Sequence, residues 1–155
     1  MATSQEDLDS RRIFATLKKV VSDLVQHFNC DDEAMKIEFQ VDSAPFEISF
    51  KFSVHPVSQL LTLYSKLNFT VAEEYREAYC RAICELNYDR MYAATFDFSP
   101  EKGVTVFRVP VLYRKSILSP ELLEGVARYT FDTVNKYTPS LYDISHGVEA
   151  SLPEE

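Results

Sequence analysis

Along this chain the spacing of apolar residues changes from helical to alternating and back, and the elements can be read from those changes. Ile13, Leu17, Val20, Val21, Leu24 and Phe28 recur every three or four positions, which places them on one face of a helix. The spacing predicts a first amphipathic helix over about 7–28. It is stopped by "NCDDE", whose Asn and Asp side chains favour local backbone hydrogen bonds over a helix interior. The period then falls to two. In "AMKIEFQV" Met35, Ile37, Phe39 and Val41 alternate with polar neighbours, and in "PFEISFKFSV" Phe46, Ile48, Phe50, Phe52 and Val54 do the same. Joined by the short "DSAP", these two runs predict an antiparallel hairpin. A third run, "QLLTLYSKL", follows "HPVS" and reads as another strand despite poorer alternation.

Thr70 and Glu73 have the spacing of a capping box, so a second helix is expected over about 71–86, with Asn87 just past its end. "MYAATFDF", the turn "SPEKG" and "VTVFRVPVLYR" predict a second hairpin. Tyr92, Ala94, Phe96 and Phe98 share one face of its first strand, and Phe107, Val109, Val111 and Tyr113 share one face of its second. Pro110 cannot donate to a ladder, so its strand lies at a sheet edge there or ends its pairing at that residue. Ser119 and Pro120 start a third helix, with Leu122, Leu123, Val126, Phe131 and Val134 on its core side. Pro139 is expected to kink or interrupt it, and Gly147 to stop it. The order α-β-β-β-α-β-β-α describes an α+β fold, an antiparallel sheet packed against helices. It forms a single domain, 1–155, with a structured core over about 7–147 and tails at 1–6 and 148–155.

Composition supports one core and narrows the chemistry. The 155 residues are 46% hydrophobic and 13% aromatic, with eleven Phe, nine Tyr and only three Gly. That is enough apolar material for one domain and too little Gly for nucleotide-binding loops. The formal net charge of -8 opposes phosphate backbones, so no nucleic-acid partner is expected. Arg11, Arg12, Lys18 and Lys19 read as the solvated face of the first helix. Cys30, Cys80 and Cys84 are odd in number, and no basic start leads into an apolar run, so a secreted disulfide scaffold is not indicated. No stretch approaches the ~20 apolar residues that cross a bilayer. A cytoplasmic protein with no membrane partner follows.

Catalytic groups are hard to assemble from this sequence. His27, His55 and His146 belong to no Ser, Cys or metal motif. Cys80 and Cys84 share a helix face but lack the further ligands that a tetrahedral metal site needs, so buried reduced thiols are favoured. Asp97 falls on the polar face of its strand and reads as a solvated carboxylate. Asn68 in "NFT" fits a glycosylation acceptor only in an exported chain. No catalytic, cofactor-binding or metal residues are assigned. The remaining candidate is surface: Phe107, Val109, Val111 and Tyr113 on the Pro-marked strand could face a second subunit or a peptide. Core packing is the competing destination for each.

From "ICELNYDRMYAATFDF" through "EKGVTVFRVPV" to "LSPELLEGVARYTFDTVNKYTPSLYDISHG", the chain resembles the YbjN family, bacterial proteins linked to sensory transduction regulation. The fold of that family is similar to that of type III secretion chaperones. Family members often carry a Gly just before the Phe of the strand after the second helix, where this chain has Ala94-Thr95 before Phe96. The resemblance implies the α-β-β-β-α-β-β-α order, dimerisation and a noncatalytic binding role, and it transfers no catalytic residues. The leading expectation is therefore a homodimeric, chaperone-like or regulatory module that holds a protein or peptide partner. The alternative is a small-molecule sensor whose pocket between helices and sheet is lined by the surplus Tyr and Phe.

Overall fold

The computed structural model describes residues 4–154. Its elements in chain order are α1 (Gln5–Leu24), β1 (Asn29–Asp31), β2 (Lys36–Ser43), β3 (Phe46–His55), β4 (Leu60–Leu67), a 3-10 turn (Glu73–Tyr75), α2 (Arg76–Arg90), β5 (Thr95–Ser99), β6 (Val104–Leu112) and α3 (Pro120–Ser145). Among the described residues the strands form one antiparallel sheet, ordered β1-β2-β3-β4-β6-β5. The α+β class of the sequence reading stands. One short strand, β1, is added to the expected order.

Register divides the sheet into two unlike faces. Phe39, Phe50, Ser65 and Phe107 lie in one cross-strand row, and Ile37, Phe52, Leu63 and Val109 in the next. These rows face the helices and are buried. Successive residues point to opposite sides, so Glu38, Lys51, Tyr64 and Arg108 form a row on the other face. The helices pack on the first face only. There α3 runs down the middle against β4 and β6, flanked by α1 against β3 and α2 against β5. Phe131 of α3 packs edge-on against Phe50, with ring centroids 5.1 Å apart, and against Phe39 at 5.9 Å. Aromatic pairs in this geometry add about 0.5–1.5 kcal/mol beyond the area they bury.

Several boundaries move for physical reasons. The α1 helix ends at Leu24 rather than near Phe28, because Val25 turns extended and carries the chain to β1, which pairs with Lys36–Glu38. Asp31 accepts a hydrogen bond from the Ala34 backbone at 2.9 Å, so the "CDDE" cluster makes a hairpin turn. Thr70 caps nothing: the second helix starts through the 3-10 turn after Ala72, without a side-chain cap. Asn87 lies inside α2, which continues to Arg90. Tyr92 precedes β5 and is exposed, and Leu122 points outward from α3. Pro139 does not interrupt the last helix, since α3 runs on to Ser145. Pro139 and Asn135, whose carbonyl would lose its helical donor there, are both exposed.

The β5–β6 hairpin is fastened to the start of α2. Arg76 donates to the carbonyls of Val71, Pro100 and Glu101, each at 3.0 Å. Gly103 closes the turn at a φ of +68°, and a Cβ there would stand 2.7 Å from the Val71 oxygen. Only glycine fits both the angle and the space.

Candidate interaction surface

The four candidate surface residues lie on the covered side. Phe107, Val109 and Tyr113 are buried in the core, and Val111 is half-buried against it. The expectation that they form an exposed partner face is corrected: their alternation points them at the helix layer, where Phe107 packs on Phe96 with centroids 4.6 Å apart. Tyr113 is tied down by its hydroxyl, which meets the Ser10 hydroxyl at 2.7 Å and donates to the His55 carbonyl at 3.3 Å. Burial raises its phenol above the ordinary tyrosine value.

The inference about Pro110 holds locally. Residues Thr105–Arg108 pair on both sides, with β4 and β5. Val109–Leu112 pair with β4 alone, so β6 is an edge over that stretch. Two other edges are handled differently. On β5, Asn87 of α2 donates to the Phe96 carbonyl at 2.7 Å and accepts from its N–H at 2.9 Å, so a side chain fills the position of a neighbouring strand. At the opposite end of the sheet, β1 covers β2 only from Lys36 to Glu38 and leaves Phe39–Ser43 without an outer partner. An unpaired stretch of strand offers backbone donors and acceptors to another chain.

Exposed apolar residues gather beside the open stretch of β6. Leu112 is 75% exposed and pairs with the half-exposed Leu60, Pro110 pairs with Thr62, and Val57 in the preceding turn is 96% exposed. Strand alternation places Leu60, Tyr64, Val106, Pro110 and Leu112 on the uncovered face. The sequence reading missed this surface because it assigned the apolar member of each pair to one side only. The signal was present in Leu60, Leu112 and Pro110, which break the polar half of the alternation.

The other sequence candidates do not converge. His55 Nε2 meets the Thr62 hydroxyl at 3.0 Å, whereas His146 Nδ1 lies 2.9 Å from both Ser145 Oγ and the Tyr142 carbonyl. Cys80 is half-buried and Cys84 exposed, so the expectation that both are buried thiols is corrected. Burial holds the Cys30 thiol above its ordinary value, with Asp32 adding to the shift. Asp97 pairs with Arg108 at 3.3 Å on the uncovered face. Among the described residues no three His, Cys, Asp or Glu side chains are grouped to hold a metal ion. Among the same residues no helix is long and apolar enough to cross a membrane.

No protein-family model matches the chain, and no curated protein matches it. Solved structures do. A chain of the ExsC-ExsE complex superposes with a TM-score of 0.62 at 14% identity, covering 85% of this chain and 95% of that one. A chain of the HopA1-SchA chaperone-effector complex matches with a TM-score of 0.46 at 12% identity, covering 91% of this chain and 95% of that one. The six-stranded antiparallel sheet with helices is thus a fold shared with that chain of the ExsC-ExsE complex. At this identity the likeness is one of fold.

Proposed function

We propose that this protein is a noncatalytic, YbjN-like interaction module of one domain, chaperone-like or regulatory, which acts in the cytoplasm and holds a segment of another polypeptide. The observation that carries the reading is the coincidence of a strand stretch paired on one side only, Val109–Leu112, with the exposed side chains of Pro110 and Leu112, beside Leu60 and Val57. An extended segment laid there would gain backbone hydrogen bonds from β6 and cover Leu60 and Leu112. Pro110 has no N–H, so apolar contact supplies much of the grip. The ExsC-ExsE and HopA1-SchA structures are complexes of two proteins, which agrees with such a role. The surplus Phe and Tyr of the sensor alternative pack largely against one another, as in the Phe39–Phe50–Phe52–Phe131 cluster, which favours the polypeptide reading.

A homodimer belongs to the same proposal. Tyr88 and Tyr92, 89% and 88% exposed, flank the end of α2 and offer large amphipathic surfaces to a second copy. With the β5 edge filled by Asn87, the subunits would meet through helix and loop side chains. A photo-crosslinking residue at position 112 tests the binding site in native extract, with the same residue at Lys136 on the solvent side of α3 as control. One recurrent polypeptide crosslinked from position 112 alone supports the reading. Equal labelling from both positions, or none, together with a 17.8 kDa monomer by light scattering, sinks it.

A further inference from the structure

The segment that follows α3 stays on the helix layer. Gly147, at a φ of +74°, reverses the chain, and the Val148 N–H donates back to the Asp143 carbonyl at 3.0 Å. The chain then returns along α3: Ser140 donates its hydroxyl to the Ser151 carbonyl at 3.2 Å, and Leu152 is half-buried against the core. Between this returning segment and α2 lies a groove of about 600 Å³, with Ala78, Ala82 and Ile144 in its apolar lining and Tyr75 beside Gly147. Its charged lining is one-sided: Glu74, Glu77 and Glu85 from the α2 side and Glu149 from the returning segment, against Arg81 alone. Arg81 is itself engaged by Glu77 at 3.8 Å, whereas Glu74, Glu85 and Glu149 are in no ion pair among the described residues. Where the groove continues toward the end of α2 it adds Asp89 and Arg90, which offset each other. Among the described residues the N–H groups of Glu149 and Ala150 and the carbonyls of Val148, Glu149 and Ala150 make no hydrogen bond within the chain.

We propose that this groove takes an extended basic segment of a partner polypeptide, with Lys or Arg side chains set against Glu74, Glu85 and Glu149 and the backbone beside Val148–Ala150. The groove belongs to the helix layer, on the opposite side of the sheet from Leu60 and Leu112, so the site is additional to the β6 surface and independent of it. Charge complementarity selects the occupant. Four carboxylates against one guanidinium leave an excess of three negative charges, so a cationic segment gains where a neutral or acidic one does not. Tyr75 supplies an aromatic ring of the kind that attracts cations. Shape selects a polypeptide over a small free amine. Glu74 and Glu85 are separated by about 16 Å at the helical rise, a span that about five residues of extended chain cover. Ala78 and Ala82 leave room for small side chains between the charged ones. The unpaired backbone of Val148–Ala150 can hydrogen-bond to a chain laid beside it. The same carboxylates repel nucleic acids and anionic membranes.

The test uses the full chain and labelled peptides of about ten residues that alternate alanine with lysine, glutamine or glutamate. Fluorescence anisotropy at low salt is expected to show the lysine peptide binding about tenfold more tightly than the glutamine peptide, with the glutamate peptide weaker still. The preference should fade as salt rises. The double variant Glu85→Lys/Glu149→Lys should abolish it, whereas Glu33→Lys/Glu38→Lys, which changes the net charge equally at the other end of the sheet, should keep it. All four positions are exposed, so both variants should retain the melting temperature. Equal binding of the lysine and glutamine peptides overturns the proposal. Equal loss in the two double variants also overturns it, because the attraction would then belong to the whole chain. Spermine that displaces the lysine peptide at equal positive charge would reject a polypeptide as the occupant. Loss of the lysine peptide in Leu112→Ser would move it to β6 and reject the groove. Failure of crosslinking from position 112 with the lysine preference intact removes the β6 reading and leaves this site standing.

Discussion

The two faces of the sheet are made from the same strands and differ in what covers them. On the helix-covered face, Phe39, Phe50, Phe52, Leu63, Phe107 and Val109 are buried against α1, α2 and α3. On the other, Lys51, Tyr64, Lys66, Arg108 and Leu112 meet solvent to differing degrees. Stability resides in the first face because burial removes apolar surface from water. The second leaves its side chains in solvent, where one can change partner without opening the core. The lesson is that β6 contributes to both: Phe107 holds the fold and Leu112, five residues on, is free to hold something else.

This contrast can be broken most severely from the covered side. Phe107→Ala removes a ring packed on Phe96 and should cost about 3–5 kcal/mol, read as a lowered urea midpoint. A loss below about 1 kcal/mol would mean that the face is not packed as described. Next in size is Asn87→Ala, which leaves the Phe96 N–H and carbonyl without their partner. About 1–3 kcal/mol is expected, with faster amide exchange at Phe96 than elsewhere in β5.

A smaller effect is expected at Tyr79, whose hydroxyl meets Thr105 Oγ1 at 2.6 Å. Burial, only partly opposed by that hydrogen bond, pushes its phenol far above the ordinary value of 10. The folded chain therefore retains a proton that the unfolded chain releases. The contribution is full below about pH 10 and is lost as pH rises beyond it. Tyr79→Phe should cost about 1 kcal/mol at neutral pH and make stability fall less steeply above pH 10, which denaturant titrations across that range would reveal. The smallest effect on stability belongs to the uncovered face. Leu112→Ser should change the unfolding free energy by no more than about 0.5 kcal/mol while abolishing crosslinking of a partner from a probe at the neighbouring Pro110. Loss of stability comparable to that of Phe107→Ala would erase the distinction between the faces.

How far the sequence was legible follows from how local each signal is. The alternation of Ile48, Phe50, Phe52 and Val54 makes β3 readable because a strand with one wet face repeats every two residues. The helical stripe of Ile13, Leu17, Val20 and Val21 likewise identifies α1, and Ser119–Pro120 marks the start of α3. β1 was not legible: three residues carry no period, and the strand exists because β2 offers it an edge. The buried placement of Phe107, Val109 and Tyr113 also required the helices, since alternation gives two faces without saying which one will be covered. Asn87 shows the same limit. Its identity suggested a helix end, and only its position opposite Phe96 turned it into a cap for a strand edge.

By itself, then, the amino-acid order determined an α+β chain with a helix, a run of antiparallel strands, a second helix, a hairpin and a final helix. Propensity, period and turn chemistry act between residues close in sequence. Tertiary structure alone decided which sheet face the helices occupy, which edges are filled, and where Lys51, Tyr64, Lys66 and Arg108 come together. Those outcomes depend on pairing between strands distant in the chain, as where Leu60 of β4 meets Leu112 of β6, and register between such strands is set by the packing of the whole sheet.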